Sequence, residues 1–159
     1  IKTLLKGVRA LFVIAEDAEI TMEANPGTVE YGSPAGYRSA GVNRLSIGAQ
    51  SFDDERLSAL GRIHSSADIV RAVEESKKGG FTNINIDLMH GLPDQTMEMA
   101  LKDLSAAIGL NPSHISWYQL TLEPNTVFYA RPPANMPDAD PAFEIPDQGK
   151  AQQAEQGCD

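Results

Sequence analysis

The chain has a single cysteine among its 159 residues, Cys158, one position from the end. One thiol provides neither a disulfide framework nor a structural zinc site, and such usage fits a reducing cytoplasm. Clusters of lysine and arginine are missing too. The 13 basic side chains against 22 acidic ones leave a formal charge of −9, which argues against nucleic acid or an anionic membrane surface as partner. No apolar run approaches the ~20 residues of a membrane span. The first residues lack the basic-then-apolar order of a signal peptide; Leu4, Leu5, Val8, Leu11 and Phe12 follow a helical period instead. A start inside a helix suggests a fragment. Length agrees, since the chain can bury one core yet falls short of the about 250 residues of a closed (β/α) barrel.

What is present is strand alternation of an unusual kind. In Asn83-Ile84-Asn85-Ile86-Asp87-Leu88-Met89, Ile84, Ile86 and Leu88 share one face, and Asn83, Asn85 and Asp87 the other. In Asn43 to Gln50, Leu45, Ile47 and Ala49 alternate with Arg44, Ser46, Gly48 and Gln50; in Glu19 to Glu23, Ile20 and Met22 oppose Thr21 and Glu23. Helices cover the apolar face, so the polar face looks elsewhere. A closed (β/α) barrel fills its middle with branched aliphatics. One lined with Glu, Gln, Arg, Asn and Asp is suited to a polar ligand.

Helices are expected between these strands. Gly41 and Gly79-Gly80 read as helix stops before new strands. Ser51-Phe52-Asp53-Asp54 opens a short helix through Leu57 and Leu60, Ser65 to Asp68 caps one carrying Ile69, Val70 and Val73, and Thr96 starts a third that ends before Asn111-Pro112. A fourth strand is expected from His114 to Leu122. Alternation of β and α elements implies an α/β fold with a parallel sheet and right-handed crossovers, here an incomplete (β/α) barrel. Between Glu30 and Ala40 the pattern calls for a helix, but Gly32, Pro34 and Gly36 disfavour it. A barrel domain is expected over 1–130, followed by a Pro-rich to polar, mobile tail over 131–159.

Five motifs, in order and at family spacing, carry a resemblance. They are Met22-Glu23-Ala24-Asn25-Pro26-Gly27-Thr28, the run from Gly41 to Phe52 ending Gly48-Ala49-Gln50-Ser51-Phe52, Leu60-Gly61-Arg62-Ile63-His64, the run from Asn85 to Thr96 containing Asp87-Leu88-Met89-His90-Gly91-Leu92-Pro93, and the run from His114 to Pro124. Together they resemble the radical-SAM proteins of the oxygen-independent coproporphyrinogen III oxidase family, and more closely its heme chaperone branch, HemW. The resemblance covers most of the chain, failing near 31–36 and in the tail. It implies a six-stranded partial barrel, S-adenosylmethionine (SAM), a [4Fe–4S] cluster and heme as cofactors or ligands of the parent, and heme-acceptor proteins as partners. The family's C-x-x-x-C-x-x-C loop and the glycine-rich loop after the second strand are not in this sequence. The chain therefore matches strands three to six, without the cysteines that hold the cluster.

The resemblance also implies site residues. Glu23 suits the ligand's ammonium or ribose hydroxyls, Asp87 matches a position that contacts the nucleoside, and Gln50 suits ribose or adenine edges. Arg62 matches the arginine that meets the methionine carboxylate, and Thr121 a residue lining the same pocket. The plain alternatives are a rim ion pair for Glu23, an interior hydrogen bond for Gln50 and a surface arginine for Arg62. Asn25-Pro26-Gly27 and Gly91-Leu92-Pro93 read as tight turns. His64, His90 and His114 read as hydrogen-bonded histidines rather than heme ligands, and Trp117 and Tyr118 as strand packing. The rival activity is oxidative decarboxylation of coproporphyrinogen III; a further alternative is a truncated product without function.

Overall fold

Alternating apolar and polar residues become four parallel strands in a computed structural model, which describes residues 1–27 and 33–137. The strands are β1 (Thr21–Ala24), β2 (Arg44–Gln50), β3 (Ile84–His90) and β4 (His114–Gln119), hydrogen-bonded in that order. As far as Gly48 the register runs straight across the sheet. Glu23 lies beside Ser46, Ser46 beside Asn85, and Asp87 between Gly48 and Ser116. In a parallel pair such neighbours share a face. One face of the sheet therefore carries Glu23, Ser46, Gly48, Asn85, Asp87 and Ser116.

The other face is the core. Leu45, Ile47, Ile84, Ile86 and Leu88 are buried there with Val73, Ile69, Leu104 and Ala107. These last four come from α4 (Ser66–Lys78) and α5 (Met97–Gly109). Both helices are capped as the sequence suggested. Ser65 and Asp68 form a reciprocal capping box, and the Thr96 hydroxyl accepts from Met99 N. The short α3 (Asp54–Ala59) is capped by Asp53, and α1 (Lys2–Leu11) lies ahead of the sheet with none of its residues buried.

The segment that was expected to resist helix formation contains α2 (Pro34–Ala40). Pro34 stands in the first turn, where a missing N–H costs nothing, and Ser33 caps it by accepting from Gly36 N at 3.0 Å. Gly41 ends α2 with φ +109°, a left-handed conformation open to glycine. Residues 28–32, part of the doubtful region, lie outside the described residues.

One expectation near the end needs correction. The fourth strand stops at Gln119 rather than Leu122, and a short α6 (Val127–Ala130), capped by Thr126, follows. Beyond it, Asn135 O accepts from Asp94 N at 2.9 Å, in the loop after β3. Residues 138–159, including Cys158, lie outside the described residues. No helix among the described residues is long and apolar enough to cross a membrane.

Candidate functional site

The helix-free face of the sheet ends in a cleft of about 290 Å³ at the C-terminal ends of the strands. That is where (β/α) folds place ligands. Its walls are Glu23, Ala24 and Asn25 from the end of β1, Ser46, Gly48 and Gln50 from β2, Asp87 from β3, Tyr118 from β4, and Arg62 from the loop after α3. Four of the five residues singled out in the sequence therefore meet in one place. Thr121 does not. It lies exposed beyond the end of β4, with its hydroxyl on Glu123 Oε1 at 3.1 Å. The early end of the strand removes it from the cleft.

Gln50 reaches the cleft through a distorted strand end. Pairing between β2 and β3 shifts between Gly48 and Gln50, and Gln50 itself has φ +71°. Its side chain folds over Gly48. A Cβ at position 48 would lie 2.9 Å from Gln50 Nε2, so glycine is required there for this arrangement. The Gln50 Oε1 accepts from the Tyr118 hydroxyl at 3.3 Å.

Next along the chain, Ser51 anchors this bend. Its hydroxyl donates to Asp103 Oδ2 at 2.7 Å, while Phe52 N donates to Asp103 Oδ1 at 2.7 Å and Gln95 Nε2 to Asp103 Oδ2 at 3.3 Å. Asp103 is 4% exposed, and burial raises its carboxyl above the ordinary carboxylate value against the pull of the Ser51 and Phe52 donors. Sequence reasoning missed it. The available signal was one acid on the apolar side of α5, between Ala100 and Leu104.

Asp87 is half-buried, and each carboxylate oxygen accepts from the sheet. Ser46 Oγ donates to Oδ2 at 2.6 Å and Asn85 Nδ2 to Oδ1 at 2.8 Å. Glu23 is exposed at the cleft rim. Among the described residues, the ion pairs within 4.0 Å involve neither Glu23 nor Asp87. Among the described residues Glu23 thus forms no rim ion pair. Arg62, half-buried, donates to Asn25 Oδ1 at 3.3 Å. Two carboxylates and one guanidinium thus share a cleft without neutralising one another at contact distance. Such a set suits a ligand that carries both charges and several hydroxyls.

Tyr118, expected as strand packing, is 44% exposed and lines the cleft. Burial and the nearby Asp87 charge raise its hydroxyl above the usual value. The signal was parity, because Tyr118 shares a face with Ser116 while Trp117 shares one with Leu88. Trp117 does pack against the core, edge-on to His90 at 5.2 Å. His64 is buried, its Nε2 3.4 Å from Ala49 O. Among the described residues no group of three or more His, Cys, Asp or Glu could hold a metal ion.

With this geometry in place, comparison with known proteins gives a consistent answer. The radical SAM superfamily model matches residues 2–105. The chain is 57% identical over 148 residues to the heme chaperone HemW of Escherichia coli K12, covering 93% of this chain and 39% of that protein. It is 53% identical over 146 residues to HemW of Haemophilus influenzae, covering 92% and 38%. Among solved structures, the coproporphyrinogen III oxidase HemN of Escherichia coli, a radical SAM enzyme, superposes with TM-score 0.84 at 32% identity, over 98% of this chain and 36% of that one. The chain thus spans about two fifths of the length of these relatives. With its parallel sheet, its polar inner face and these identities to HemW and a coproporphyrinogen III oxidase, the chain belongs to the radical SAM superfamily.

Proposed function

We propose that this chain forms the ligand-facing wall of a SAM pocket within a HemW-like heme chaperone. Membership of the superfamily implies SAM and a [4Fe–4S] cluster in the complete protein. The observation that carries the SAM reading is the cleft with two carboxylates that no cation among the described residues pairs at contact distance. SAM presents a cationic sulfonium, an ammonium, a carboxylate and a ribose diol. Arg62 would take the carboxylate as a planar fork. Asp87 and Glu23 would take the ammonium or ribose hydroxyls, and Gln50 the nucleoside edge. Thr121 stands outside the cleft and is given no contact.

The cluster does not fit the residues of this chain. It needs three thiolates, and the sequence supplies Cys158 alone. Anaerobic reconstitution of the chain by itself should yield no stoichiometric iron–sulfur signal by iron counting and EPR, and no 5′-deoxyadenosine; a full cluster would overturn this part.

The chaperone reading for the complete protein is supported by the 57% identity to HemW, against 32% to the coproporphyrinogen III oxidase structure. Heme and heme-acceptor proteins are then its cargo and partners. The purified full-length protein, anaerobic and reduced, should bind heme stoichiometrically and leave coproporphyrinogen III unchanged. Turnover to protoporphyrinogen IX would establish the decarboxylase instead.

A further inference from the structure

The inner face of the sheet holds a closed hydrogen-bond network behind the cleft. Asn85 is 2% exposed and Ser46 6%. Asn85 Nδ2 donates both to Ser46 Oγ and to Asp87 Oδ1, each at 2.8 Å. Ser46 Oγ donates in turn to Asp87 Oδ2 at 2.6 Å, and Ser116 Oγ donates to Asn85 Oδ1 at 3.1 Å. The network spans three strands, because Ser46 sits beside Asn85 and Asp87 beside Ser116 in register.

Proton counting leaves one arrangement. The single Ser46 hydrogen goes to Asp87, so Ser46 Oγ is an acceptor toward Asn85. The Asn85 amide must then present its nitrogen to Ser46 and Asp87 and its oxygen to Ser116. Turned over, the amide oxygen would face the carboxylate and the Ser46 lone pairs, with no hydrogen between them. Asp87 therefore accepts on both oxygens at once, and its plane is held from two directions. Gly48, beside Asp87 in the register, places no side chain over it. The remaining lone pairs of the carboxylate are left for the cleft.

We infer that Asn85, together with Ser46, is a positioning residue that fixes the orientation of the Asp87 carboxylate for its ligand. Asn85 is not among the residues that line the cleft and acts through Asp87, whereas Ser46 holds Asp87 from the cleft wall itself. The inference rests on the SAM reading of the cleft. Its physical basis is pre-organisation: a carboxylate already held in its bound orientation loses less freedom when the ligand arrives.

The test is a double-mutant cycle on the full-length, cluster-loaded protein, with SAM titrated by isothermal calorimetry. Asn85→Ala should weaken binding roughly threefold to tenfold, the loss expected when one hydrogen bond to a charged partner is removed. In an Asp87→Ala background the same replacement should change affinity by less than about twofold, because the group it positions is gone. Ser46→Ala, which empties less of the interior, should repeat this pattern and carries the test should Asn85→Ala not fold. Equal losses in both backgrounds would mean a general structural role and would overturn the inference. So would full affinity in both single variants while Asp87→Ala is impaired, an outcome that leaves the SAM reading standing. A silent Asp87→Ala would sink both.

Discussion

The two faces of this sheet are made by the same four strands, residue by residue in alternation, yet they solve opposite problems. On the helix side, Ile47, Ile86 and Leu88 are fully buried, and shape is satisfied with little polarity. On the cleft side, Ser46, Asn85 and Asp87 satisfy one another through a specific set of hydrogen bonds. The buried side-chain nitrogens without a partner among the described residues are Arg56 Nε, His90 Nδ1 and Trp117 Nε1, none of which lines the cleft. Polar satisfaction is thus most complete where a ligand would be held. The helix side stabilises the fold, and the cleft side sets the geometry of a site.

That contrast can be broken deliberately. The largest effect should come from the helix side. Ile86→Ala removes a fully buried side chain from the core and should cost about 2–5 kcal/mol. Chemical denaturation of the complete protein reads this as a lower midpoint, with SAM affinity per folded molecule unchanged. If affinity fell as well, the two faces would not be separable.

Asp103 comes next. Asp103→Ala leaves Phe52 N and Gln95 Nε2 without their acceptor in a buried place, at about 1–3 kcal/mol. Because burial raises this carboxyl in the folded state, the folded protein holds the proton more tightly than the unfolded chain. The contribution is complete below the unfolded value near 3.8 and is lost as pH rises through the raised folded value. The variant should flatten that descent in a pH series of denaturation midpoints.

A smaller effect is expected at His90, where burial lowers the imidazole below 6.5. Here the neutral ring is favoured in the fold, so stability is present above that pH and declines as pH falls through the lowered value. Replacement by Gln should remove this acid-side loss, measured in the same way. Persistence of the slope in His90→Gln would assign it to another group.

Much of this was legible beforehand because period-2 alternation reports which face a strand residue takes. Glu23, Gln50 and Asp87 were placed on the inner face by parity alone, and they do line one cleft. Helix ends were equally readable at Ser65, Thr96 and Gly41, where capping chemistry is local. Sequence reasoning failed where the deciding contact was distant. Asp103 depends on a loop 52 residues away. Gly32, Pro34 and Gly36 each count against a helix before Gly41, but Ser33 as cap places Pro34 in the first turn, where proline is tolerated. Thr121 was assigned to a strand that stops two residues earlier.

The central claim is that the cleft side of the sheet is a SAM site organised around Asp87. The direct measurement is SAM titration into the full-length, cluster-loaded protein, wild type against Asp87→Ala. A carboxylate making charge-assisted hydrogen bonds contributes roughly 1.5–3 kcal/mol, so affinity should fall about tenfold to a hundredfold. Unchanged affinity in a correctly folded variant would contradict the account, because it would leave the polar face without its ligand.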